Sequence, residues 1–98
     1  MSKNKHEFPM NWGKFKSLIE RGRWRVKRDR SEKEEYKVYV AIFNARKRDN
    51  YQCQECGRND VPVEGHHIIP QRIDRSKAWD VNNIVSLCRA CHKKAHNR

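Results

Sequence analysis

The chain has 98 residues, only 36% of them hydrophobic, and its lysines and arginines outnumber its acidic residues by 23 to 12, a formal charge of +11. A chain of this size is one domain whose core is too thin to offset the entropy of backbone ordering by burial alone, so a metal or disulfide staple is expected. No stretch nears the roughly 20 apolar residues of a membrane span and "MSKNKHEFPM" has no apolar signal segment, which excludes a membrane protein and points to a soluble, cytoplasmic one.

Residues 1–30 carry ten basic against three acidic side chains, +7 of the total charge. Such a concentration suits a polyanion, because each neutralised phosphate releases counterions. The first thirty residues are therefore expected to be a basic arm that contacts DNA, with Arg23 and Arg25 among its phosphate contacts. Within it "WGKFKSLIERG" predicts a short helix stopped at Gly22, and Trp12, Phe15 and Trp24 are aromatic enough to pack on the domain. A partly disordered solubilising tail is the other reading of the arm.

The domain proper is expected over residues 31–98. Ser31 followed by Glu34 makes a capping box, and a helix over 32–47 should follow, with Arg46, Lys47 and Arg48 suiting the negative end of its dipole. Tyr36, Tyr39, Val40 and Phe43 recur at helical spacing and form its expected core stripe. From residue 51 to 98 the texture changes to short apolar runs, turns, cysteines and histidines. "VPVEGHHIIP" predicts one or two short strands bounded by Pro62 and Pro70, "QRIDRSKAWDVNN" a polar loop, "IVSL" a second strand and "CRACHKKAH" a final helix.

The cysteines fall in two Cys-x-x-Cys pairs, Cys53 with Cys56 and Cys88 with Cys91. In a reducing compartment such pairs read as metal ligands, and two of them supply the four thiolates of a closed, structural zinc site, with Gly57 easing the first turn. A redox pair or a disulfide competes with that reading. So does a site built from Cys53, Cys56, His92 and His96, which would strand the second pair.

The histidines pose a separate question. His92 and His96 lie four apart on the predicted helix and share a face, a spacing suited to one metal ion. His66 and His67 are adjacent on a predicted strand, so they point to opposite sides and cannot both bind that ion from ideal geometry. One can complete a three-histidine metal site while its neighbour stays neutral and accepts a proton from water.

"GHHIIP", Asn83 in "DVNNIVSLC", and His92 and His96 in "CHKKAH" resemble the HNH motif of the ββα-metal nucleases. The version with a second helix histidine is similar to colicin-type DNases, and the flanking cysteine pairs resemble those of small phage and bacterial HNH endonucleases. The resemblance covers residues 53–96. It implies an α+β fold, a small ββα-metal, treble-clef-like module pinned by the four-cysteine zinc and preceded by the amphipathic helix and basic arm. It implies that His67 is the general base, that His66 takes a ligand position often held by Asp, and that His92 and His96 complete the catalytic metal site. Asn83 would hold the turn and hydrogen-bond His67 or its backbone.

The implied activity is metal-dependent hydrolysis of DNA, by nicking or double-strand cleavage, leaving 5′-phosphate and 3′-hydroxyl ends. Imidazole ligands favour Zn, Ni, Co or Mn, while Mg can be recruited through the substrate phosphate. Arg72, Arg75 and Lys77 in the loop and Lys93 and Lys94 on the last helix would grip the DNA backbone without reading bases, so specificity should be low. Specific cutting would call for a homodimer or a partner such as phage DNA-packaging proteins, with the host cytoplasm as the setting. A non-catalytic zinc module that binds nucleic acid is the alternative function, and an RNase or toxin-like nuclease would share the same chemistry.

Overall fold

The computed structural model describes residues 8–96. The first seven positions of the expected arm and the last two of the expected domain lie outside the described residues. Helix α1, Trp12–Glu20, starts where the Asn11 side chain accepts the Lys14 N–H at 2.9 Å. It ends where the chain turns at Gly22, whose φ of 71° is in the left-handed region that glycine enters without a Cβ penalty.

Helix α2, Glu32–Arg48, is the spine of the molecule, and both halves of its capping box form: Glu34 N–H donates to Ser31 Oγ at 3.1 Å and Ser31 N–H to Glu34 Oε1 at 2.9 Å. Its expected stripe needs correction. Tyr36, Tyr39, Val40 and Phe43 are half-buried, and the deepest positions are Glu35, Val38, Ala41 and Ala45. The helix is covered on two sides, which a single amphipathic stripe does not describe. On one side Phe15 is wholly buried, with ring centroids 4.8 to 5.2 Å from Trp24, Tyr36 and Tyr39. The hydroxyl of Tyr36 donates to the Met10 carbonyl and that of Tyr39 accepts the Met10 N–H, both at 2.8 Å, so the segment before α1 is stapled to α2. On the other side small alanines let the sheet come close.

That sheet is a single antiparallel pair, β1 (Val63–His67) with β2 (Ile84–Cys88), in a register that sets Val63 opposite Cys88 and His67 opposite Ile84. Gly65 is where the helix approaches: a Cβ there would sit 2.9 Å from Ile42 Cγ2 and 3.2 Å from Ile84 Cγ2. Gly65→Ala should therefore cost about 1–3 kcal/mol through overpacking, read as a lower urea midpoint. Unchanged stability would show that α2 does not bear on the strand.

The loop between the strands is more ordered than its polarity suggests. Two 3-10 turns, Arg75–Trp79 and Val81–Asn83, bury Ala78 and Asn83, and each starts with an aspartate side chain, Asp74 and then Asp80, accepting a backbone N–H. After α2 the chain reverses through Asn50 and Tyr51, both at φ 56°, a strained choice for tyrosine that aims the following knuckle at the sheet. Arg48 and Asp49 lock this corner: Arg48 pairs with Asp49 at 2.9 Å and donates to the carbonyls of Val81 and Ile84, while Asp49 accepts the Ser86 N–H at 3.0 Å. Helix α3, Arg89–His96, follows β2 directly.

Candidate metal centres and active site

The two knuckles meet. Cys53 and Cys56 come from the turn after α2, Cys88 from the end of β2 and Cys91 from the first turn of α3, and their sulfurs all lie within 4.8 Å of one another. The Cys56 and Cys88 sulfurs are 3.7 Å apart. Zn–S bonds of about 2.3 Å in a tetrahedron give sulfur spacings of about 3.8 Å, so the donor set fits zinc. Gly57, at φ 81°, closes the first knuckle, whose Cys53 carbonyl accepts the Gly57 N–H at 2.9 Å.

Without a cation the four thiols cannot all ionise. Burial opposes the charge on Cys53, but N–H donors of Cys56, Cys88 and Glu55 outweigh it and bring this thiol down to about 6. Burial and the neighbouring sulfurs push Cys91 up to about 12. A divalent ion removes that repulsion and allows four thiolates. The four cysteines thus form one group that can hold a metal such as zinc, with no histidine in it.

The second group is His66, His92 and His96, whose candidate ligand nitrogens likewise lie within 4.8 Å. The His66 ring centroid is 5.3 Å from both helix histidines, and the Nε2 atoms of His92 and His96 are 2.9 Å apart, close enough to share one proton or one cation. Glu64 was not anticipated from the sequence. Its carboxylate accepts the His92 Nδ1 proton at 2.7 Å, which leaves the His92 Nε2 lone pair for a ligand, as carboxylate partners of metal-bound histidines do. Its position two residues before His66, on the same side of β1, was the available signal.

His67 lies on the other side of the strand, away from this trio. Its Nε2 donates to the Ala78 carbonyl at 2.8 Å, since a carbonyl can only accept, so the ring's lone pair is on Nδ1. Burial of the ring, with added repulsion from Arg30, Lys27 and His92, holds its basicity below the usual imidazole range despite the opposing Ala78 carbonyl. The ring is therefore neutral in neutral water. The adjacent histidines are separated by strand alternation, one toward α3 and one toward the 3-10 turn.

Asn83 corrects an expectation. It is buried, and its hydrogen bonds run to Ile69 and Lys77 rather than to His67: Oδ1 accepts the Ile69 N–H at 2.8 Å, and Nδ2 donates to the Ile69 and Lys77 carbonyls at 3.1 Å. The Ile68 N–H also donates to the Asn83 carbonyl at 2.8 Å. The amide ties the strand's exit to the turn bearing Ala78, so it acts on His67 through two backbones. The reason is reach: the short asparagine side chain is used up by the loop it closes.

The named basic residues are spread around these centres. Arg23, Arg25, Arg72, Lys93 and Lys94 are exposed, whereas Arg75 pairs with Glu34 at 3.2 Å and Lys77 approaches Asp80 at 3.9 Å. Among the described residues no helix is long and apolar enough to cross a membrane.

A hairpin and a helix gathered on a cysteine cluster, with histidines on both, define a small α+β module of the ββα-metal type. The chain belongs to the HNH endonuclease family, whose profile matches residues 53–98. A curated relative, Anaredoxin from Nostoc sp., is 32% identical over 66 residues, spanning 67% of this chain and 84% of that protein. No solved structure matches significantly.

Proposed function

We propose that the protein is a metal-dependent endonuclease that hydrolyses phosphodiester bonds in DNA. The observation that carries this reading is the division of four imidazoles across one hairpin and helix: His66, His92 and His96 converge, and His67, neutral and with its lone pair on Nδ1, stands across the strand from them. A module that only binds nucleic acid has no use for that division. The charge of +11 favours a polyanionic substrate.

In this reading His67 Nδ1 takes a proton from a water whose oxygen attacks phosphorus in line. The bond from phosphorus to the 3′ oxygen breaks, and that oxygen takes a proton from a solvent water to become the 3′-hydroxyl. The new P–O bond leaves a 5′-phosphate, and the proton on His67 returns to solvent. His66, His92 and His96 would hold a divalent ion, with Glu64 orienting His92; when bound, such an ion supplies positive charge to the phosphate and the departing oxygen. Asn83 keeps the Ala78 carbonyl, and hence the His67 ring, in place. The exposed arginines and lysines hold the strand without reading bases.

The test is purified protein incubated with supercoiled plasmid and, separately, structured RNA across Mg, Mn, Co, Ni and Zn. Chelation should abolish scission of the plasmid and at least one ion should restore it, with 5′-phosphate at the new ends. DNA binding with no scission under any ion would overturn the reading and leave a zinc-stabilised binding module.

A further inference from the structure

Gln71 lies outside the histidine groups, yet its side chain ends on the active ring. Its Nε2 is 3.2 Å from His67 Nδ1. Its Oε1 accepts from Arg30, and because a guanidinium only donates, the amide orientation is fixed: oxygen to Arg30, nitrogen to His67. Arg30 is itself held. It pairs at 3.3 Å with Glu35, the two side chains being only 6% and 10% exposed, and Glu35 also accepts from Trp24 Nε1 at 2.9 Å and the Lys27 N–H at 3.3 Å. A continuous run of hydrogen bonds and one ion pair thus leads from the aromatic cluster on α2 through Glu35, Arg30 and Gln71 to His67. Half of it precedes residue 53, where the family match begins.

We infer that Gln71, aimed by Arg30 and the buried Glu35, is a positioning residue for His67, holding its ring plane and its Nδ1 lone pair in the place that the attacking water takes. This rests on the general-base reading above. An imidazole in this tautomer has one in-plane lone pair, and the Gln71 N–H is its partner at rest. When water enters, it donates to Nδ1 and its oxygen can accept the retreating Gln71 N–H, which leaves an oxygen lone pair for phosphorus. The chain to Glu35 limits how far the amide retreats.

The chemistry gives a test that separates positioning from packing. Gln71→Leu removes the donor and should lower kcat about tenfold with KM unchanged, the effect of one lost hydrogen bond. Gln71→Glu keeps the shape and the Arg30 partner but presents an acceptor, which requires a proton on Nδ1 and so removes the lone pair; kcat should fall about 100-fold. A structural role predicts the reverse order, because leucine strands Arg30 and glutamate does not. Nitrogen-15 spectra of the zinc-loaded protein, assigned against His67→Ala, supply a readout independent of turnover: Nδ1 of His67 should be unprotonated in the wild type and protonated in Gln71→Glu. If Gln71→Glu turns over at least as fast as Gln71→Leu, or wild-type Nδ1 bears the proton, the positioning role is overturned. Should His67→Ala cut like wild type, the general-base reading itself falls and this inference with it.

Discussion

Replacing His67 with alanine is expected to lower plasmid scission by about 10²–10⁴-fold, the usual contribution of a positioned base, while DNA binding and zinc content stay at wild-type levels. The variant loses two hydrogen bonds, one to the Ala78 carbonyl and one from the Gln71 amide, and a half-buried ring, so a stability loss of about 1–3 kcal/mol accompanies it. The rest of the site has its own supports. His66 faces α3, His92 is held by Glu64, and Asn83 keeps the loop closed through Ile69 and Lys77. Loss of activity with retained zinc and DNA affinity therefore isolates the proton transfer. Wild-type scission by His67→Ala would assign the base elsewhere.

Loss of the cysteine centre should have a larger structural effect. Among the described residues, one core cluster of buried side chains consists of Cys53, Val63, Leu87, Cys88 and Cys91, so three of its five members are candidate zinc ligands. Few large side chains lie under this half of the molecule: of the fully buried ones among the described residues, only Phe15 and Ile84 are large hydrophobics, and both sit elsewhere. Structural zinc supplies on the order of 10 kcal/mol in small knuckle domains, comparable to the whole stability of a domain this size. Cys88→Ser, or exhaustive chelation, should therefore abolish stoichiometric zinc and collapse the dispersed amide signals of residues 53–96. A chelated protein that kept its dispersion would mean that packing alone holds the hairpin to α3. The Cys88→Ser arm also separates the two candidate metal groups, since the three histidines lie outside the sulfur cluster.

Much of the site could be read along the chain because its determinants are local. The capping box at Ser31 and Glu34, the charges at the two ends of α2, the Cys-x-x-Cys spacings and the i, i+4 pair His92 and His96 all act within one turn or one knuckle. The opposite sides of the strand taken by His66 and His67 follow from its two-residue period, and the structure separates the two rings accordingly. The Tyr36 to Phe43 stripe shows where this reasoning ends. Periodicity identifies one face of a helix, but α2 is covered twice, by the aromatic segment and by the sheet, and the alanines that admit the sheet carry little hydropathy signal.

The remaining features depend on closure of the chain in space. Glu64 meets His92 across 28 residues of sequence, and Arg30 meets Gln71 across 41. Asn83 spends its amide on Ile69 and Lys77, fourteen and six residues away, because the loop folds back over it. A polar side chain in an isolated sequence has many partners within reach, and burial decides among them by making any unmet hydrogen bond costly. Residue types and spacings therefore determined which atoms could bind metal or move a proton, and the tertiary structure decided which neighbours orient those atoms.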